Sequence, residues 1–351
     1  MQVSLRIERS DSATGESRLQ LFELDVPETA TLLDCLEEIK DRRDGTLAFR
    51  RSCREGICGS CAVRIDGKTA LACRTRASEL AVRAEPAIVS PLGNMPVVRD
   101  LVVDAEPMWS KLRAARPYLE PVEWEAGDGR ESLVLAGLTE LVHKESLCIN
   151  CGACLSECDA LSVSPDFLGP HALAKAMRFV GDPRDGSASE RLTALSGEHG
   201  IWECTRCYLC NERCPKAVDP RDAICKLAAE AIERGIDRDP GARHARWFVV
   251  SARTTGWLRE TELVPKTQGI LASIRQISFA LRLARKGKVP RPFPRHKARD
   301  LQPPRRLHKL LPEQDRRGAR GAAQGERALR RIEIVQVAEL ELSGETGESG
   351  G

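Results

Sequence analysis

The sequence predicts an α+β chain: a small sheet-rich domain, then a helical domain, then a basic extension. Three observations predict it. Residues 2–9 (QVSLRIER) and 19–26 (LQLFELDV) alternate apolar and polar side chains, the period of a half-buried strand. From Leu101 onward the apolar spacing becomes helical. Twelve of the 14 cysteines fall into three short runs, which sit in the loops between these patterns. The expected divisions are 1–105, 106–240 and 241–351.

The elements follow in order. The segment DSATGES between the first two strands is a turn. Thr31 can cap a helix running through Lys40, with Leu32, Leu33, Leu36 and Ile39 on one face. Ala62–Ile65 and Lys68–Leu71 form a hairpin about Asp66-Gly67, a dipeptide suited to positive φ. Two hairpins and one helix around a cysteine loop describe a β-grasp domain of about 100 residues. Leu101, Val102 and Val103, with Met108, Trp109 and Leu112, are expected to open the helical part. Residues 120–132 are polar and turn-rich, a surface connection. His171 to Val180 reads as a helix stopped by Gly181-Asp182-Pro183, and Arg221 to Arg234 as another that ends at Gly235.

Composition bounds the function. The N-terminus has no apolar core and no small-residue cleavage site, so no export signal is expected. No stretch approaches the ~18 apolar residues that a membrane span needs. Fourteen cysteines in such a chain point to metal ligation rather than disulfides. The net charge of +3 conceals an asymmetry: 23 Lys/Arg against six Asp/Glu over residues 241–331, and five Glu with no base over 332–351. The cysteine-bearing part is therefore acidic and the extension basic, a distribution suited to an anionic membrane surface, an acidic partner or nucleic acid.

The first run is Cys53-x4-Cys58-x2-Cys61, followed by Cys73. This is the plant-type [2Fe–2S] spacing. Zinc is the competing reading, but zinc sites use paired CxxC units rather than x4/x2. The small residues Gly56, Gly59 and Ser60 between the ligands let backbone N–H groups approach sulfur. The second run is Cys148-x2-Cys151-x2-Cys154-x3-Cys158, and the third is Cys204-x2-Cys207-x2-Cys210-x3-Cys214-Pro215. Both have the bacterial [4Fe–4S] spacing, in which the fourth cysteine of each run serves the other cluster. One cluster then takes Cys148, Cys151, Cys154 and Cys214, and the other Cys158, Cys204, Cys207 and Cys210. Cys35 and Cys225 are left over as structural thiols. No Ser-His-Asp set and no phosphate loop occurs, and His143, His171, His199 and His244 are isolated in the sequence. No catalytic residue is assigned.

Several stretches resemble the iron–sulfur subunit of succinate dehydrogenase and fumarate reductase. They are Ser52–Cys61 (SCREGICGSC), Leu71–Thr75 (LACRT), Pro91–Val103 (PLGNMPVVRDLVV), Phe167–Asp185 (FLGPHALAKAMRFVGDPRD) and Cys214-Pro215-Lys216. The resemblance spans roughly residues 1–235. It implies an electron-transfer subunit that carries electrons between a covalent-FAD flavoprotein partner and a quinone through three clusters. No dicarboxylate chemistry would occur on this chain. The complex would work in succinate oxidation or in fumarate reduction, the same wire serving either direction, and the chain would sit peripherally on the cytoplasmic side of the cell membrane.

Three departures from the common family pattern stand out. Cys207 lies where common members carry a non-ligand and therefore hold a [3Fe–4S] centre. A cysteine there implies a second [4Fe–4S] cluster of lower potential. After Cys158 this chain has Asp159–Ser164 (DALSVS) in place of Pro and the Trp-containing quinone platform, and Thr205 stands where a His is usual. Lastly, Thr254–Leu263 and Leu281–Arg299 resemble the tail of heterodisulfide-reductase-type subunits. Together these resemble the non-classical succinate dehydrogenases and thiol-linked fumarate reductases, which implies a cysteine-rich-domain anchor instead of multi-helix membrane subunits.

Residues 271–286 (LASIRQISFALRLARK) form a basic amphipathic helix, for docking on the protein or for attachment to a membrane surface. Residues 289–320 and the end of the chain read as irregular. A nucleic-acid-binding role for the extension competes through its charge. Its interleaved aromatics are few, Trp247, Phe248, Trp257, Phe279 and Phe293, so no nucleic-acid partner is expected.

Overall fold

The computed structural model describes residues 1–10, 15–121, 134, 136–140, 142–255 and 258–288. Residues 11–14 of the expected DSATGES turn, all but the first two residues of the expected connection at 120–132, and the segments beyond 288 lie outside the described residues. The chain divides into two compact units, Met1–Glu230 and Ala231–Gly351.

The first unit opens with a five-stranded mixed sheet of order β2-β1-β5-β3-β4. Strand β1 (Gln2–Ser10) pairs antiparallel with β2 (Ser17–Asp25), Leu5 facing Phe22. Strands β3 (Ala62–Ile65) and β4 (Lys68–Leu71) form the Asp66-Gly67 hairpin. Strand β5 (Ala87–Ser90) lies between the two hairpins, parallel to β1 and antiparallel to β3. Alternation in β1 puts Val3, Leu5 and Ile7 into the core, and Leu33, Leu36 and Ile39 of α1 (Leu32–Arg42) are buried as well. The N-terminus of α1 is closed by a reciprocal capping box between Thr31 and Asp34. Cys35 is buried in this helix, and its thiol is pushed up to about 11, chiefly by burial.

A buried ion network ties the sheet to the segment that leaves it. The Arg9 guanidinium donates from Nε to Asp100 Oδ1 (3.0 Å), and from Nη1 to Asp44 (2.6 Å) and Gln20 (2.7 Å). Asp100 also accepts from the backbone N–H of Ser10 (3.1 Å) and Ala48 (2.8 Å). Hydrogen bonds from Thr46 and Arg9 hold the Asp44 carboxyl well below the usual range.

Short helix α2 (Ala77–Ala81) precedes β5. Residues 101–103 do not open a helix, contrary to the sequence reading. Val102–Val103 is strand β7, paired with β6 (Val97–Arg99). A β-branched pair there satisfies its backbone across the strands, and the Asp104 carboxylate then accepts the N–H of Glu106 to start α3 (Glu106–Ala114).

The helical part continues with α4 (Ala136–Glu140), α5 (His143–Ser146), α6 (Ala153–Ser156), α7 (Asp159–Val163), α8 (Gly169–Val180), α9 (Ala188–Leu195), α10 (Leu209–Glu212) and α11 (Pro220–Glu233). The apolar stripe of α8, including Ala172, Leu173, Ala176 and Met177, forms the centre of this part. Arg191 of α9 is fully buried and paired with Asp185 (3.2 Å), and it donates to the carbonyls of Ala115, Arg116 and Tyr118.

The second unit contains α12 (Pro240–Thr255) and α13 (Glu260–Gln268), closed by the stacking of Arg259 and Lys266 on Trp247 and by a bond from Arg243 Nε to the Thr267 carbonyl (2.8 Å). The expected 271–286 helix is present as two pieces, α14 (Ile270–Arg275) and α15 (Ile277–Arg285), interrupted at Gln276. Among the described residues no helix is long and apolar enough to cross a membrane.

Candidate iron–sulfur cluster sites

The first cysteine loop lies between α1 and β3. Arg54, Gly56 and Gly59 adopt positive φ (62°, 71° and 75°), which turns successive N–H groups inward. Cys53 Sγ receives the N–H groups of Glu55 (3.4 Å), Ile57 (3.3 Å) and Cys58 (3.3 Å). Cys73 Sγ, delivered from the end of β4, receives the N–H of Gly56 (3.2 Å). Cys61 interacts directly with Cys73, so all four thiols of this run come together. The Ser60 hydroxyl lowers Cys58 to about 6, whereas burial pushes Cys61 up to about 12. Four sulfurs ringed by inward N–H donors suit a group with negatively charged sulfur.

The second and third runs interleave. Cys148, Cys151, Cys154 and Cys214 line one cavity, together with His171 and Ala174 of α8. Cys158, Cys204, Cys207 and Cys210 line another, together with Phe167, Pro170, Tyr208 and Arg221. The cavities enclose similar empty volumes, ≈ 380 and ≈ 320 Å³ including their openings to solvent. The start of α8 lies between them, since Pro170 faces one and His171 the other. Gly169 makes this possible: at φ +83° it turns the chain into α8 while in close contact with Leu161.

Burial dominates the electrostatics. It pushes Cys151 up to about 11 and Cys210 to about 12, raises Cys158 and Cys204, and lifts Cys154 well above the ordinary thiol range. Without metal these thiols hold their protons, so loading of iron must release them. His171 donates its Nε2–H to the Met108 carbonyl (2.9 Å), and burial depresses it to about 4. Its imidazole is neutral at neutral pH. Cys207 is the exposed member of its set. Cys225 lies outside both cavities' linings.

One contact was not legible in the cysteine spacing. Gly59 of the first loop packs on Cys151 of the second, and a Cβ at Gly59 would stand 2.7 Å from Cys151 Cβ and 2.8 Å from its Cα. The two loops thus touch through backbone. Hydrogen bonds hold this approach in place. Thr69 of β4 donates its N–H (2.9 Å) and hydroxyl (2.5 Å) to Glu157, the Gly93 N–H donates to Ser156 (2.9 Å), and Asn94 donates to the carbonyls of Leu155 (2.8 Å) and Cys158 (3.0 Å). A Gly59→Ala chain is expected to separate the loops: the φ and the contact both reject a Cβ. The expected outcome is slower internal electron transfer, read by stopped-flow reduction, with iron content retained.

Residues 4–110 match the family described as a 2Fe-2S iron-sulfur cluster binding domain, and residues 145–218 match a 4Fe-4S dicluster domain. The fumarate reductase iron-sulfur subunit of Mycobacterium tuberculosis (strain CDC 1551 / Oshkosh) is 41% identical over 224 residues, 62% of this chain and 88% of the relative. The chain belongs to the family of fumarate reductase and succinate dehydrogenase iron–sulfur subunits. Members of this family are parts of oxidoreductase complexes and carry three clusters, and this chain has both the 2Fe-2S and the 4Fe-4S cluster domains. The 8-methylmenaquinol:fumarate reductase iron-sulfur subunit of Wolinella succinogenes is 33% identical over 289 residues, 81% of this chain and 89% of the relative. That match is longer than the first compact unit, so it takes in part of the second. Among solved structures, the apo form of the Mycobacterium smegmatis Sdh1 complex superimposes with a TM-score of 0.61 at 25% identity, covering 68% of this chain and 98% of the matched one.

Proposed function

We propose that this subunit moves electrons in single file through three clusters, each held by the four cysteines that converge on it. Cys53, Cys58, Cys61 and Cys73 hold the [2Fe–2S] centre. Cys148, Cys151, Cys154 and Cys214 hold a [4Fe–4S] centre, and Cys158, Cys204, Cys207 and Cys210 hold a second. The observation that carries this reading is the exchange of fourth cysteines, with Cys214 lining the cavity of the second run and Cys158 that of the third. The clusters supply one-electron redox capacity. The chain supplies thiolate ligands, N–H donors and close spacing. The Gly59–Cys151 contact would bring the first and middle centres together, and the first turn of α8 would separate the middle centre from the third. The functional division follows as 1–105, 106–240 and 241–351. Spectroscopy on single cysteine variants tests the ligand sets: each variant should disturb the signal of its own cluster alone.

The flavin belongs to a separate FAD-containing dehydrogenase subunit, and the final acceptor or donor is a quinone reached through an anchor or cysteine-rich-domain subunit. The relatives' names include both fumarate reductases and succinate dehydrogenases. Cys207 and the length of the match to the Wolinella succinogenes subunit favour the non-classical type, with four thiolates at the third centre.

The complex sits on the cytoplasmic face of the cell membrane, and α14–α15 supplies a lipid contact. Ile270, Ile274, Ile277 and Leu281 recur at helical spacing and are exposed. Residues 263–288 hold six Lys/Arg and no acid, a charge complementary to an anionic bilayer. The full chain is expected to float with phosphatidylglycerol vesicles at least ~10-fold more than with phosphatidylcholine vesicles at low salt. Ile277→Glu with Leu281→Glu should abolish flotation. Equal binding to both vesicle types, or none, refutes the lipid contact and leaves a protein partner for this surface.

A further inference from the structure

We infer that Arg221 sets the reduction potential of the third centre, raising it through its positive charge and a free N–H aimed at the Cys158/Cys204/Cys207/Cys210 cavity. The inference rests on the ligand set proposed above for that cavity. Arg221 is the one arginine or lysine among the residues that line it. Its Nε is buried and has no hydrogen-bond partner in the protein, although an unpaired buried N–H of a charged group is costly. A sulfur of a cluster seated in the cavity would satisfy it.

The rest of the guanidinium is held in place. Nη1 donates to Asp222 Oδ1 (2.7 Å) and approaches the Tyr208 hydroxyl (3.4 Å), and the guanidinium carbon stands 4.5 Å from the Tyr208 ring centroid. The Arg221 backbone N–H donates to Asn211 Oδ1 (2.8 Å), and Asn211 Nδ2 in turn donates to Asp222 Oδ2 (3.0 Å). The side chain is therefore anchored at its tip and at its backbone, with Nε left for the cavity. It is about a quarter exposed (24%), so solvent weakens its field without removing it.

The physical consequence has a fixed sign. A cation and an N–H donor beside a cluster stabilise the form that carries one more electron, which raises the potential. Arg221 accepts neither the electron nor a proton. Four thiolates lower the potential of the third centre relative to a three-iron centre, and Arg221 offsets part of that fall. Asp222 works in the opposite direction, because its carboxylate partly neutralises the guanidinium.

An EPR-monitored redox titration of the iron-loaded full chain tests this, with the middle cluster as internal reference. In Arg221→Met the third centre should shift to lower potential by at least a tenfold change in its reduced-to-oxidised ratio, about 59 mV for a one-electron couple. Arg221→Lys should shift it less in the same direction. Asp222→Asn should shift it upward, which a purely structural role for these residues does not explain. The middle cluster should stay unmoved in all three. An unchanged or raised potential in Arg221→Met, with the third centre present, overturns the inference. If Arg221→Met fails to load the third centre, the other two variants decide, and no shift in either overturns it. Absence of a third centre from the unsubstituted chain would refute the ligand set itself, and this inference with it.

Discussion

A Cys214→Ser chain is expected to lose the middle cluster and keep the third, although Cys214 belongs to the third cysteine run. Its sulfur lines the cavity of Cys148, Cys151 and Cys154, so the serine removes one of four ligands there. Cys210, four residues earlier, lines the other cavity. Outer-shell losses at metal sites cost roughly 10–100-fold in affinity or activity, and loss of a thiolate should exceed that. The first and third clusters should remain visible by EPR while electron flow between them falls to background. Cys158→Ser should give the converse, with the third cluster lost and the middle one retained. If Cys214→Ser instead removed the third cluster, the runs would be independent and the exchange of ligands would be wrong.

The second large effect lies away from the clusters. Asp100→Ala should destabilise the N-terminal sheet by about 3–5 kcal/mol, because Arg9 Nε and the N–H groups of Ser10 and Ala48 lose their acceptor at a cost of roughly 1–3 kcal/mol each. Asp100 is 2% exposed and accepts from Arg9 and from two backbone N–H groups. Arg9 would retain Asp44 and Gln20 but lose its most buried partner. Guanidinium denaturation of the loaded chain, followed by the visible absorbance of the first cluster, measures the loss. An Asp100→Ala, Arg9→Met double variant should be less destabilised than the sum of the two single variants, because both single variants lose the same Arg9–Asp100 pair.

Much of this was legible in the sequence because ligand spacing is local. The x4/x2 and x2/x2/x3 runs pointed to the cysteines that the fold gathers into each set, without any knowledge of the fold. The strands at the start and the Asp66-Gly67 hairpin were equally legible, since alternation and a turn dipeptide carry their own signal. Strand β5 was missed because Ala87-Ile88-Val89-Ser90 is too short to alternate. Helices α6 and α10 span a single turn each, too little for a helical period. Residues 101–103 were misread because an apolar triplet beside a helix carries no period of its own. The Gly59–Cys151 contact and the place of Arg221 depend on how distant loops dock. Gly59 could be read only as a small residue near sulfur, and Arg221 only as the first residue of a helix.

The identity of the third centre tests the central claim most directly. EPR and iron analysis of the anaerobically purified full chain, after reconstitution with iron and sulfide, should give about ten iron atoms per chain, one [2Fe–2S] and two [4Fe–4S] clusters. A [3Fe–4S] signal should be absent as isolated. A three-iron signal that persists after reconstitution, with about nine iron atoms per chain, would show that Cys207 is not a ligand and would contradict the four-thiolate third centre.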